Sequence, residues 1–283
     1  MRPRQAYLIL YLSLTLLAAS AAAAAFAAST AHTIKASSGG VTAVLSYRHD
    51  SAPAALIPYR DMRLAIGGGG RSRYDRPVSA LLCGRECWPA SGVPGVPVLG
   101  VAALDPGRGP DVVVNLYSGG AHCCWITQVF SYRGSAYAVA QRDFGDPGAA
   151  LRHLGGGWAF VSADDRFAYE FTSFAFSGLP VAIWRFHEGR FVDVTRAFPA
   201  RVAADASRQY ADYLANRRQG LGLGFIAAWA ADEALLGKSG HAAKTLVSLA
   251  AAGQLRSGDG FARSGRAFIA QLAGFLAKTG YSH

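Results

Sequence analysis

Two groups of residues in this chain have types and spacings that could do chemistry. The first carries sulfur and imidazole. Cys83 and Cys87 are separated by three residues, and Cys123 and Cys124 are adjacent, preceded by His122 in the run Ser118-Gly-Gly-Ala-His-Cys-Cys124. In an exported chain, four cysteines point first to disulfides. Cys83 and Cys87 could close locally, either could reach Cys123 or Cys124, or Cys123 and Cys124 could form a vicinal bond of unusual peptide geometry, and the sequence leaves these pairings open. A metal site shared with His122, or redox chemistry at sulfur, is the alternative. Zinc, however, usually draws its cysteines from pairs with two-residue spacing.

The second group is acidic. Asp164-Asp165-Arg166 is followed by Tyr169 and Glu170. Two carboxyl groups in different environments can act as general acid and general base. Neighbours on an extended strand diverge, though, so a turn holding an Asp–Arg pair fits the spacing better. His122, Asp164, Asp165, Arg166 and Tyr169 are therefore candidate binding residues, and no residue is assigned a catalytic role. The chain has no Gly-x-Ser-x-Gly elbow and no His-Glu-x-x-His pair. Gly237-Lys238-Ser239 imitates the end of a phosphate loop but falls at the end of a helical pattern with no strand before it.

The elements that must hold these groups follow a targeting segment. Arg2 and Arg4 precede an apolar run from Tyr7 to Leu17 and an alanine tract with small residues suited to cleavage. Residues 1–28 are thus expected to be a signal peptide, and the mature chain secreted or displayed at the exterior of the cell envelope. The apolar core is short for a spanning helix, which needs about 20 residues. Membrane attachment is expected only if this segment stays uncleaved. The formal charge is +10, with 24 arginines among 28 basic residues, but the basic residues are scattered. Nucleic acid is not an expected partner. A cell-wall polymer, a glycan or a protein is.

Residues 34–199 read as β structure. Strands are expected at Val41 to Tyr47, Val98 to Leu104, Val112 to Tyr117, Trp125 to Tyr132 and Ala136 to Ala140. Others fall at Ala159 to Val161, Phe167 to Phe171, Val181 to Phe186 and Phe191 to Val194. Arg133-Gly134 and Glu188-Gly189 mark tight turns, and Arg63 to Val78 a hairpin around Gly67–Gly70. Two stretches, about 98–145 and 151–199, repeat one order: glycine-rich loop, apolar strand, aromatic hairpin. From residue 200 to 283 the pattern becomes helical, most strongly over Phe225 to Leu236. The expected class is α+β. A mainly antiparallel N-terminal part, partly propeller-like or a twisted β-sandwich, precedes a small C-terminal helical unit.

Asp111 to Cys124, Phe160-Val-Ser-Ala-Asp-Asp-Arg-Phe167 and the hairpin Ile183 to Thr195 resemble exported bacterial proteins with FG-GAP/VCBS-like repeats. The resemblance covers roughly residues 98–200 and implies binding or recognition. It also implies calcium in an acidic loop before each repeat strand. In the first matching loop only Asp105 and Asp111 remain, with Arg108 between them. The second, Leu154-Gly-Gly-Gly-Trp158, has no carboxylate. Calcium wants six to eight oxygens, so no cofactor is expected here. The functional expectation is an exported, disulfide-stabilised binding or structural module. The alternatives are a secreted hydrolase using Asp164, Asp165 or Glu170, and a Cys/His metal or redox site.

Overall fold

The computed structural model describes residues 29–51, 57–91, 96–105 and 107–281, without the side chain of Cys123. The expected signal segment lies outside the described residues. The protein is α+β. Three mainly antiparallel sheets are followed by a helical region.

The first sheet is a meander of β1 (Thr30–Ser38), β2 (Val41–His49), β3 (Tyr59–Gly68) and β4 (Tyr74–Pro77). In the second, β5 (Trp88–Pro89) and β6 (Leu99–Ala102) lie end to end along one edge of β7 (Asp111–Gly120). Beyond β7 come β8 (Cys123–Tyr132) and β9 (Tyr137–Asp143). The third is the meander β10 (Ala150–Leu154), β11 (Gly157–Ala163), β12 (Val181–His187) and β13 (Arg190–Asp193).

The central strand β7 explains its own sequence. Val112, Val114 and Leu116 face the first sheet, packing in one cluster with Val41, Ala43, Leu45, Leu64 and Ile66. Val113 faces the other way, with Val129, into a cluster holding Phe160 and Phe186 of the third sheet. A strand buried on both faces loses its polar alternation, hence the unbroken valines. Cys83 and Cys87 close a local disulfide just before β5, with S–S 2.05 Å and Cα–Cα 5.0 Å. Neither is a thiolate donor for a metal. Cys124 is disulfide-bonded as well.

The helices are α1 (Pro199–Asn216), α2 (Leu223–Leu235), α3 (Ser239–Ala251) and α4 (Gly265–Thr279). In α1 the buried Val202, Ala206, Gln209 and Tyr213 recur at helical spacing. In α2 nearly every side chain is buried. Gly224 permits α2 to pack closely on the segment before it, since a Cβ there would stand 2.6 Å from both the Phe176 carbonyl oxygen and Thr172 Cγ2. Among the described residues no helix is long and apolar enough to cross a membrane.

Several local expectations need correction. Phe167 to Phe171 is not a strand. Residues 165–167 form a 3₁₀ turn, and Phe167 and Phe171 are buried among Ile226, Phe268 and Leu272 of the helices. Their aromatic, β-like composition serves a docking segment between sheet and helices. The expected loop at Leu154 to Trp158 is a tight hairpin turn at Gly155-Gly156, both left-handed, joining β10 to β11. The edge strand β1 was not anticipated, because most of its residues are exposed and few are apolar.

Candidate functional site: a cleft between the sheets and the helices

A cleft of about 890 Å3 opens where the ends of the second and third sheets meet the C-terminal ends of α2 and α4. Asp164, Asp165 and Arg166 all line it. Strand β11 ends at Ala163, and Asp164 then caps the 3₁₀ turn, its carboxylate accepting from the Arg166 backbone N–H. That cap folds the Arg166 side chain back onto the residue that starts the turn. The guanidinium grips Asp164 through Nε (2.8 Å to Oδ1) and Nη2 (2.5 Å to Oδ2), a bidentate pair. Tyr281, 117 residues later, donates its hydroxyl to Asp164 Oδ2 at 2.8 Å. Arg166 Nη1 donates to the Thr279 carbonyl at 3.1 Å. The pair thus ties the end of α4 to the third sheet. Hydrogen bonding to Asp164 raises Arg166 above its ordinary value. Burial, reinforced by the Asp164 charge, raises Tyr281.

Asp165 points elsewhere within the cleft. Its Oδ1 accepts from the Asp146 N–H at 3.3 Å, and its side chain lies over Gly145. Gly145 has φ +64°, and a Cβ there would fall 2.3 Å from the Asp165 carboxyl. Only glycine fits the turn. Burial pushes the Asp165 carboxyl above the usual carboxylate range. The charges of Asp146, Asp143 and Asp164 add to this, and the Asp146 N–H opposes it.

The opposite wall was not foreseen from the sequence. Arg142, near the end of β9, places its guanidinium 3.3 Å from the ring centre of Trp184 on β12 and 5.5 Å from that of Phe144. Its Nε is buried without a hydrogen-bond partner. Burial lowers its hold on the proton, against the charges of Asp193, Asp143 and Asp164. Asp193 Oδ1 accepts from the Thr195 N–H (2.9 Å) and hydroxyl (2.6 Å). Arg196 Nη1 donates to the carbonyls of Ala234 and Leu235, where α2 ends.

The remaining candidates lie apart. Asp164 and Asp165 share the cleft, whereas Glu170 and His122 are not among its lining residues. His122, at the β7–β8 turn, packs on Phe174 (4.0 Å between ring centres) and Tyr169 (6.0 Å). Tyr169 in turn stacks near Phe261 at 6.3 Å. The structure therefore unites His122 with Tyr169 in an exposed aromatic face and keeps both from Asp164. Tyr169 holds φ +61° with its N–H donated to Ser177 Oγ, a strained conformation for a non-glycine residue.

The Asp105–Asp111 loop serves the fold. Buried Asp105 meets His187 Nδ1 at 3.0 Å and accepts from the Glu188 N–H at 2.9 Å, anchoring the β12–β13 hairpin, with Arg108 Nε at 3.4 Å. Burial raises the Asp111 carboxyl, and the Asp105 charge adds to the effect. Among the described residues, no group of three or more His, Cys, Asp or Glu side chains is gathered as a metal would require.

The fold and cleft define an α+β protein with a mixed-charge groove at a sheet–helix junction. No family model matches the chain. No solved structure matches it. A protein of Synechocystis sp. described as a probable thylakoid lumen protein is 30% identical over 160 residues. The match takes in 49% of this chain and spans 43% of that relative's length.

Proposed function

We propose that this chain is an exported, disulfide-stabilised binding module that takes its ligand in the cleft through fixed polar and aromatic groups, without transforming it. The observation that carries the reading is how the cleft's charges are used. Asp164, the most reactive-looking acid of the sequence, is bridged by Arg166 and Tyr281 as an architectural joint. Arg142 is left open on Trp184. A general acid or base must be free to move a proton to substrate, and Asp164 is not.

Export is supported by the N-terminal segment, by the Cys83–Cys87 disulfide and by the name of the Synechocystis relative, a probable lumenal protein. In this reading the chain works outside the cytoplasm, secreted or at the envelope exterior. The run of antiparallel meanders supports a degenerate FG-GAP/VCBS-like ancestry and a recognition role. The partner is a cell-wall polymer, a glycan or a protein. One observation favours a hydrolase instead: the raised, half-buried carboxyl of Asp165 in the same cleft.

The test is retention of the oxidised, purified chain on arrays of glycans, wall polymers and envelope proteins, with each retained polymer then assayed for new chain ends. Retention without cleavage supports the module. Cleavage abolished by Asp165→Asn establishes the hydrolase, and absence of any retained ligand overturns both.

A further inference from the structure

Arg142 differs from the other cations of the cleft. Arg166 is engaged by Asp164 and the Thr279 carbonyl, and Arg196 by two carbonyls of α2. Among the described residues Arg142 has neither an ion pair nor a hydrogen bond, and its buried Nε lacks an acceptor. A guanidinium carbon 3.3 Å from the centre of an indole must lie nearly flat on it. Stacked that way, it keeps its five N–H donors in one plane, radiating from its rim. That planar fork matches the two oxygens of a carboxylate. Stacking on Trp184 also fixes the fork before any ligand arrives, which lowers the ordering cost of binding.

The neighbours narrow the ligand further. Asp143 Oδ1 is held by the Gly145 N–H and Asp193 Oδ1 by Thr195, which leaves the other oxygen of each carboxylate available to accept. With Asp164 and Asp165 these groups set four carboxyl residues around the cleft and would repel a dianion such as a phosphate monoester. They suit a monoanion surrounded by several hydrogen-bond donors. The cleft, at about 890 Å3, has room for more than an amino acid.

We propose that the cleft binds a saccharide bearing a carboxylate, a uronic acid unit. The carboxylate sits on the rim of Arg142, and sugar hydroxyls donate to Asp143 and Asp193. This rests on the binding-module reading and names its ligand class.

Calorimetric titration of the full, oxidised chain with short oligomers of galacturonate, glucuronate, mannuronate and guluronate tests it. The controls are their methyl esters, neutral oligomers of matching length and a sugar phosphate. At least one uronate is expected to bind, with its methyl ester weaker by about 10- to 100-fold, the range of a charge-assisted fork. Arg142→Gln is expected to lose the same factor, and Arg142→Lys to recover only part of it, since charge without the fork is not enough. If Arg142→Gln does not fold, the ester comparison on the unaltered protein still decides. Equal binding of acid and ester, preference for phosphate, full affinity in Arg142→Gln, or failure of every uronate overturns the proposal. Should neutral polymers or proteins still be retained, the uronate assignment falls alone. Should nothing be retained, the binding-module reading falls with it.

Discussion

Two carboxyl groups, one at the cleft and one in the helical core, answer burial in opposite ways. Asp164 collects donors: the Arg166 guanidinium, the Arg166 backbone N–H and the Tyr281 hydroxyl. Asp232 on α2 is fully buried, and neither of its oxygens meets a donor among the described residues. Burial first, and then the adjacent carboxylate of Asp205, push it up to about 10. Side-chain hydrogen bonding with Asp205 adds to this rise. The sheet–helix junction therefore surrounds its acid with donors, while the α1–α2 core carries a neutral acid. A buried carboxyl left without donors takes up a proton instead.

The largest expected effect removes the neutral acid. A carboxyl raised on folding stabilises fully below its unfolded value, near 4, and that contribution is lost as pH rises through about 10. At neutral pH the folded chain is already retaining a proton that the unfolded chain releases. Asp232→Asn keeps the shape and a donor for Asp205 without that penalty. It should stabilise the protein by roughly 2 to 4 kcal/mol at pH 7 and by nothing near pH 4. Denaturant unfolding of both proteins across pH 4 to 10 measures the difference. A gap that stays constant, or shrinks as pH rises, would show that Asp232 is charged after all.

The opposite sign is expected at the cleft. Asp164→Ala leaves the Tyr281 hydroxyl buried, with 7% of the residue exposed, and strips Arg166 of its partner. A loss of about 2 kcal/mol follows from orphaning a buried donor beside a charge. Arg166 is half exposed, so solvent screens its share. Tyr281→Phe in the Asp164→Ala background should recover part of the loss, because the orphaned hydroxyl goes with it. A double-mutant cycle by chemical denaturation reads that coupling, and strict additivity would mean that the Tyr281 contact contributes nothing.

How much of this was visible in the sequence follows from the distance each feature spans along the chain. The Asp164–Arg166 pair spans two residues and is set by the turn that Asp164 caps, so residue types and spacing were enough to read it. The turns at Gly134 and Gly189 and the helix over α2 are equally local. Tyr281 reaches Asp164 across 117 positions, and Arg142 meets Trp184 from a different sheet. Nothing near Arg142 in the sequence distinguishes it from the other 23 arginines. Trp184 is half-buried in its strand, and only the fold shows that the Arg142 guanidinium covers it. Phe167 to Phe171 misled for the same reason in reverse. Its aromatics have strand-like propensity, but tertiary contact with the helices determines their conformation.

The smallest effect concerns the aromatic face on the far side of the same segment. Tyr169 and Phe261 are 44% and 45% exposed, so little burial holds them in place. A polar clamp does so instead. Asp259 accepts from the Thr172 hydroxyl at 2.6 Å, the Ser173 N–H at 2.9 Å and the Phe261 N–H at 3.3 Å. Burial alone would raise this carboxyl, but those three donors outweigh it and hold the group below its ordinary value. A depressed carboxyl stabilises above its unfolded value and loses that contribution as pH falls through the folded one. The clamp should therefore loosen in acid, below about pH 4, while the neutral Asp232 keeps the helical core intact. Thr172→Val removes one donor and should cost about 1 kcal/mol or less at pH 7. It should also speed amide hydrogen exchange at Ser173 and Phe261 while leaving Arg166 and Tyr281 unchanged. If exchange at Arg166 and Tyr281 rises equally, the cleft and the aromatic face open as one unit, and the contrast between a rigid charged joint and a lightly clamped apolar face does not hold.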